Sequence, residues 1–226
     1  MEKMKYFLTL VLLLPCLAYG AESVCYGTTS DGRLVNGVEL PRSGSNFVAY
    51  SDVARLAGRT YVHSEVKRIV VSAYSDLLEE LPEKVYKYAE TGFKYGGEFK
   101  PHKTHRNGLS VDFMTPVKNR DGVSVHLPTY PWNKFGYSIE FDEGGNYDDL
   151  TIDYEALAAH IVALDKAAKS YGYSIWRVIF DPELQSGLYD TTYGQYIRTN
   201  IQLSKKRSWV RHDEHYHVDF VVPCKK

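Results

Sequence analysis

Two of the three cysteines, Cys25 and Cys224, stand at opposite ends of the chain, and no other feature constrains the fold as strongly. The third, Cys16, falls within the first 20 residues. In an oxidising compartment such a pair predicts one disulfide that fastens the two ends together. Closing so long a loop would stabilise the fold by roughly 4 kcal/mol in the chain-entropy model. Two free buried thiols are the alternative.

The first residues are typical of an export signal. Two lysines precede an apolar run over 6–14, and small residues suited to cleavage follow at 18–20. The run is short for a membrane span. We therefore expect a signal peptide at 1–20, a single domain at 21–226, export, and no membrane span after cleavage. An uncleaved anchor is the alternative.

The pattern of apolar residues predicts both helices and strands. Helical spacing predicts helices over 64–80, with Ser64 as N-cap, and over 154–171. β-Rich composition predicts strands at 110–114, 174–180 and 215–222. Because the elements do not alternate regularly, the fold class is α+β, with a small antiparallel sheet flanked by helices and long loops. The net charge of −1 gives no sign of a surface for nucleic acid, so nucleic acid is not an expected partner.

The segment 115–150 shows no periodic pattern and is expected to be a long irregular loop. Within it, "LPTYPWNKFGY" (127–137) concentrates aromatic residues. Such side chains either stack on sugar rings or pack onto the scaffold of their own loop.

Three histidines crowd into "RHDEHYHVDF", residues 211–220. On a strand, His215 and His217 share one face, because side chains two positions apart point the same way. Two neighbouring imidazoles repel when both are charged, and a bound cation would keep at least one neutral. A pair of ordinary surface histidines is the alternative.

A second histidine cluster, "GGEFKPHKTHRNGLSVDF" (96–113), contains His102, His105 and Asp112. Gly108 allows a sharp turn before the strand that carries Asp112. Catalytic zinc sites take three ligands from His, Asp or Glu and leave one position for water. One His and one Asp from this window and one His from the other would supply that set. The absence of thiolate ligands favours zinc over copper(I), and there is no H-E-x-x-H helix.

At these residues the sequence resembles the penicillin-insensitive murein endopeptidases, within the wider group of lysostaphin-type and D-Ala-D-Ala-cleaving zinc peptidases. The resemblance lies in "HKTHRNGLSVD", which has His and Asp separated by six residues, and in "HDEHYH", which has the H-x-H pair. It implies that His105, Asp112 and His217 bind one Zn²⁺ ion on the small sheet.

The resemblance also implies roles for the remaining histidines. His215 would be the general base or would stabilise the tetrahedral intermediate, and His212 would assist or orient it. His102 would contact the substrate or support the ligands. The implied substrate is the stem peptide of peptidoglycan, and the implied location is the periplasm.

Three other functions stay open on the sequence. A zinc D-Ala-D-Ala carboxypeptidase would use the same metal site with a closed carboxylate pocket. A metal-dependent nuclease also clusters His and Asp. A non-catalytic cell-wall-binding module would have a fourth protein ligand that closes the site.

Overall fold

A computed structural model describes residues 22–226. The expected signal peptide at 1–20 lies outside the described residues. The helices are α1 Asp52–Leu56, α2 Ser64–Glu80, α3 Tyr154–Ser170, α4 Gln185–Tyr189 and α5 Gly194–Asn200. The strands are β1 Val24–Gly27, β2 Gly32–Val35, β3 Val38–Glu39, β4 Phe47–Ala49, β5 Tyr61–Val62, β6 Tyr86–Tyr88, β7 Ser110–Met114, β8 Val117–Lys118, β9 Ser124–Val125, β10 Asn146–Tyr147, β11 Leu150–Ile152, β12 Ser174–Ile179 and β13 His215–Val221. Within the described part of the chain, no helix has the length and apolarity that crossing a membrane requires.

A five-stranded sheet with the order β12-β13-β7-β6-β4 forms the centre of the molecule. Its neighbours are antiparallel except for β4 and β6, which are parallel. The strands predicted at 110–114, 174–180 and 215–222 are confirmed as β7, β12 and β13, and the fold class is α+β as predicted.

Helices α2 and α3 pack on one another and cover one face of this sheet. Every third or fourth residue of α2 is apolar and buried, as the helical period requires: Val66, Ile69, Val70, Ala73 and Leu77. From α3, His160 packs its ring against Phe113 of β7, with 4.7 Å between ring centroids. These contacts make the covered face the main part of the core.

The start of α2 differs by one residue from the sequence-based prediction. Ser64 is the first helical residue, and His63 is the N-cap, accepting a hydrogen bond from the backbone nitrogen of Glu65 at 3.2 Å. Ser64 has another partner, since its hydroxyl accepts a hydrogen bond from the backbone nitrogen of Ser23 at 3.2 Å. An imidazole nitrogen can cap a helix as a hydroxyl does, because both offer an acceptor to an unpaired N–H.

The two ends of the described chain are joined as predicted. Cys25 and Cys224 form a disulfide, with 4.8 Å between their Cα atoms. Beside the disulfide, the backbone nitrogen of Lys225 donates to the carbonyl of Cys25 at 2.9 Å. The last residues are therefore held against β1 by both covalent and hydrogen bonds.

The expectation of one irregular loop over 115–150 is wrong. The segment contains β8 and β9, a turn-rich stretch at Pro131–Gly136, and most of the small sheet β10-β11-β8-β9. Its strands are two or three residues long. Strands this short do not show the two-residue alternation of apolar and polar residues in the sequence. Hydrogen bonds to neighbouring strands define them instead.

Candidate active site

Strand register places a histidine and an aspartate directly opposite one another. β13 and β7 are antiparallel neighbours, and His217 pairs with Asp112. Because side chains alternate along a strand, His215, His217 and Asp219 project from one face, away from α2 and α3. The Nδ1 of His217 lies 2.8 Å from Oδ1 of Asp112, and both side chains are buried.

His105 reaches the same aspartate from the loop before β7. Its backbone φ is +68°, a left-handed conformation that is uncommon for a residue other than glycine. The ring donates from Nδ1 to the carbonyl of Thr91 at 3.1 Å, and its Nε2 lies 3.3 Å from Oδ1 of Asp112. That buried Nε2 has no hydrogen-bond partner among the described residues. An imidazole nitrogen that accepts no hydrogen bond and lies beside a carboxylate is well placed to bind a metal ion.

Gly108 makes the turn that joins the His105 loop to β7. Its φ is +77°, and a Cβ added there would lie 2.8 Å from the backbone nitrogen of His63. The same nitrogen donates to the carbonyl of Gly108 at 2.9 Å. The sharp turn predicted at this glycine is confirmed.

Glu90 is a buried carboxylate that belongs to neither histidine motif, and it holds His102 in place. It contacts Nε2 of His102 and the guanidinium of Arg59, and it accepts a hydrogen bond from the hydroxyl of Tyr50 at 2.9 Å. Burial alone would raise the pKa of Glu90, but His102 and Arg59 outweigh burial and lower it to about 2. The other ring nitrogen of His102 lies 3.8 Å from Oδ2 of Asp112.

His215 is oriented by the acid that precedes it. Its Nδ1 lies 2.7 Å from Oε1 of Glu214, which leaves Nε2 3.9 Å from Oδ2 of Asp112. The ring of His212 lies next to it, with 4.6 Å between the centroids, and His212 has a φ of +60°. The structure thus brings His215 and His212 to the cluster that the sequence predicted.

Asp219 supports His217 from the other side of its ring. Its Oδ1 lies 2.9 Å from Nε2 of His217 and accepts a hydrogen bond from Ser110 at 2.6 Å, while its Oδ2 accepts one from Arg177 at 2.7 Å. This contact fixes the ring of His217, so that Nδ1 faces Asp112. The strand period could have identified Asp219, which follows His217 by two positions. Nothing in the sequence points to Arg177.

The carboxylates of this cluster stay ionised although they are buried. Burial raises the pKa of Asp112, but the surrounding histidines outweigh that effect and hold the pKa well below its usual range. Burial lowers the pKa of His217, yet Asp219 and Asp112 together raise it to about 10. For His105, burial prevails over Asp112 and the pKa is lowered. Asp112 therefore stays ionised and can serve as a ligand to a cation.

The residues present fit a metal ion. His102, His105 and Asp112 offer ligand atoms that lie within 4.8 Å of one another. The ring of His217 lies 4.8 Å from that of His105, centroid to centroid, and both rings face the same oxygen of Asp112. Imidazole nitrogens and a carboxylate oxygen are the donor set of catalytic zinc sites.

A cleft of about 570 Å³ opens onto this cluster. His102 and His215 form part of its lining, together with Tyr137, whose hydroxyl donates to Oδ2 of Asp112 at 3.4 Å. The volume falls in the range of sites that bind small molecules or segments of larger ones. The cleft gives a substrate access to the cluster.

Comparison with known proteins gives one result that bears on identity. None of the curated proteins matches the chain. A family model described as penicillin-insensitive murein endopeptidase matches residues 25–226, which include every residue of the cluster. The chain therefore belongs to the penicillin-insensitive murein endopeptidase family.

Proposed function

We propose that the protein is a zinc peptidase, exported to the periplasm, that hydrolyses the peptide cross-links of peptidoglycan. The observation that carries the proposal is the convergence of His105 and His217 on one buried oxygen of Asp112, at 3.3 and 2.8 Å, beside a cleft. Export is supported by the family's substrate, which lies outside the cytoplasm, and by the disulfide, which suits an oxidising compartment.

His105, Asp112 and His217 would hold the zinc ion. A zinc ion would polarise carbonyl groups and lower the pKa of bound water, so that hydroxide becomes available at neutral pH. The ring of each histidine is fixed at its other nitrogen, His105 by the Thr91 carbonyl and His217 by Asp219. Metal-binding histidines are generally held in this way, which supports the assignment.

His102 competes with His217 for the third ligand position. Its ligand atom groups with those of His105 and Asp112, and Glu90 fixes its other nitrogen. We favour His217 because it lies 2.8 Å from Asp112, compared with 3.8 Å for His102. His102 also forms part of the cleft wall, a position that suits contact with substrate. Zinc content of the His102→Ala and His217→Ala variants separates the two ligand sets.

His215 would carry the proton from the attacking water to the leaving amine. Glu214 holds its Nδ1, so that Nε2 is the nitrogen available at the cleft. Proton transfer by a positioned side chain typically contributes about 10²–10⁴-fold to the rate. His212, whose ring lies 4.6 Å from that of His215, would keep it in place.

The charges of the cleft favour an endopeptidase over a carboxypeptidase. A carboxypeptidase needs a fixed cation for the terminal carboxylate of its substrate. The less exposed arginines of the cleft are already neutralised, Arg59 by Glu90 and Arg211 by Asp181. The other cations of the cleft, Lys134 and Arg207, are exposed, so the described residues offer no buried cation to a terminal carboxylate there.

Digestion of purified murein tests the proposal directly. The zinc-loaded protein is incubated with sacculi, and the products are separated and weighed by mass spectrometry. Conversion of cross-linked dimers to monomers supports an endopeptidase, whereas loss of a single D-Ala supports a carboxypeptidase. A His215→Ala variant with full zinc content controls for contaminating hydrolases. If neither product forms with zinc bound, the proposed function is wrong.

A further inference from the structure

Two aromatic rings form an exposed platform at one end of the segment that reaches the active site. Tyr130 and Trp132 stack with 4.6 Å between ring centroids and 13° between planes, and the Trp132 side chain is 80% exposed. The same segment ends at Tyr137, whose ring lies 4.8 Å from that of His215. A large apolar ring so exposed contributes little to the core and is available to a ligand.

The platform is held in place before any ligand arrives. The side-chain oxygen of Asn133 accepts hydrogen bonds from the backbone nitrogens of Tyr130 and Gly136, at 2.8 and 2.9 Å. Its amide group donates to the carbonyl of Pro128 at 2.9 Å. Thr129 donates to the carbonyl of Tyr50 at 2.7 Å, which fixes the segment to the residue that follows β4. A preformed surface loses little entropy when it binds.

A groove next to the platform shares two wall residues with the cleft. It has a volume of about 490 Å³, and Pro131, which lies between the two aromatic residues, forms part of its wall. Tyr50 and Phe135 line both this groove and the active-site cleft. A ligand that extends along the groove would therefore reach the catalytic cluster past these two rings.

The polar side of the groove suits hydroxyl groups rather than ions. Arg42 and Asp52 form a two-pronged ion pair, Nε to Oδ1 at 2.9 Å and Nη2 to Oδ2 at 2.6 Å. Both side chains stay more than half exposed, so their outer edges offer hydrogen-bond donors and acceptors to a ligand. Because the two charges cancel, the groove favours a neutral ligand over an anionic membrane or a charged protein.

We propose that the Tyr130–Trp132 platform and the adjoining groove bind the glycan strand of peptidoglycan. An N-acetylated sugar ring would stack its C–H face on Trp132, and its hydroxyls would hydrogen-bond to Arg42 and Asp52. The stem peptide attached to that strand would run past Tyr50 into the cleft. This inference rests on the proposed function, because it assigns a binding site to the glycan part of the same substrate.

Binding of a sugar oligomer without peptide tests the platform alone. The full protein is titrated with chitotetraose, a β-1,4-linked tetramer of N-acetylglucosamine, by calorimetry. We expect Trp132→Ala to weaken binding by roughly tenfold, equivalent to about 1.4 kcal/mol. Trp132→Phe should recover part of the loss. Trp176→Ala is the matched control, since Trp176 is 48% exposed but lies on β12, outside the groove.

Hydrolysis of two substrates tests the role of the platform in catalysis. One substrate is whole sacculi, and the other is cross-linked peptide freed of sugar by an amidase. Trp132→Ala should lower kcat/KM on sacculi by roughly tenfold and leave kcat/KM on the free peptide unchanged. Equal losses on both substrates, or none on either, would overturn the proposal.

The two proposals fail in different ways. If the wild type hydrolyses both substrates but does not bind chitotetraose, the platform proposal is wrong and the proposed function stands. If it binds chitotetraose through Trp132 but hydrolyses neither substrate, the proposed function is wrong and the glycan site stands. Binding to phosphatidylglycerol vesicles that depends on Trp132, without sugar binding, would overturn the platform in favour of a membrane contact.

Discussion

His217 of β13 and His160 of α3 lie on opposite faces of the central sheet and are equally buried, but their pKa values are shifted in opposite directions. His217 is 2% exposed, lies between Asp112 and Asp219, and has its pKa raised to about 10. His160 is 1% exposed and stacks on Tyr74 with 4.8 Å between centroids, and burial lowers its pKa to about 3. Burial alone thus does not decide the charge of a histidine in this protein. The neighbouring carboxylates do.

The two faces of the central sheet differ in the same way. One face gathers buried charged groups around Asp112, an arrangement that is costly to fold unless every charge is paired. The other face gathers aromatic rings around His160, whose hydrogen-bond partner among the described residues is the hydroxyl of Tyr216 rather than a carboxylate. We expect variants of the first face to change metal binding and activity, and variants of the second to change stability.

Removal of His217 should have the largest effect. His217→Ala deletes the nitrogen that lies 2.8 Å from Asp112, and we expect zinc and measurable hydrolysis both to be lost. The loss should exceed the roughly 100-fold typical of residues that only support a ligand. Zinc is measured by plasma mass spectrometry and hydrolysis by muropeptide chromatography. His160→Leu, on the opposite face, should retain zinc. Full zinc content in His217→Ala would show that the ligand assignment is wrong.

Removal of His215 should impair hydrolysis and spare the metal. We expect His215→Ala to lower kcat by about 10²–10⁴-fold, because a positioned proton carrier is lost. Zinc should stay at one ion per chain by the same mass measurement. Glu214→Gln, which weakens the contact at Nδ1, should give a smaller loss. Departure of zinc from His215→Ala would make His215 a ligand instead.

Loss of the Asp219 carboxylate should weaken zinc binding less than loss of His217, which it supports. Asp219→Asn keeps the shape of the side chain but weakens its hold on Nε2 of His217. We expect zinc affinity to fall by about 10–100-fold in competition with a chelator. Ser110→Ala removes only one hydrogen bond to Asp219 and should have a smaller effect. Unchanged affinity in Asp219→Asn would mean that the contact does not support a metal ligand.

The parts of the site that the sequence predicted depend on local patterns. The two-residue period of β13 was enough to place His215 and His217 on one face, and Gly108 was enough to predict the turn before β7. The central strands and the two long helices were predictable for the same reason, since each is long enough to show its period.

The parts that the sequence missed depend on contacts between distant segments. Glu90 reaches His102 because β6 pairs with β7, and Arg177 reaches Asp219 because β12 pairs with β13. No local pattern reports which strands become neighbours. The small sheet within 115–150 was missed for a related reason, because its short strands are defined by their partners.

The pH dependence of stability should report on His160. Its pKa is about 6.5 in the unfolded chain and about 3 in the fold, so the unfolded state alone takes up the proton between these values. Stability is therefore lost as the pH falls from about 6.5 towards 3. Comparing unfolding free energies at pH 7 and 4.5, we expect the wild type to lose about 2 kcal/mol more than His160→Phe. Equal losses in the two proteins would show that His160 takes up its proton in the fold.

The smallest effect should come from the residue that lies between the two histidines of β13. Tyr216 faces the core, where its hydroxyl shares a hydrogen bond with Nδ1 of His160. Tyr216→Phe removes that hydroxyl and leaves the ring, so we expect a loss of about 1 kcal/mol in urea unfolding. Because the side chain points away from Asp112, zinc content should be unchanged and kcat/KM on sacculi should stay within about twofold. A large loss of activity from this one oxygen atom would contradict the separation of the two faces, since the two faces would then be coupled through the strand itself.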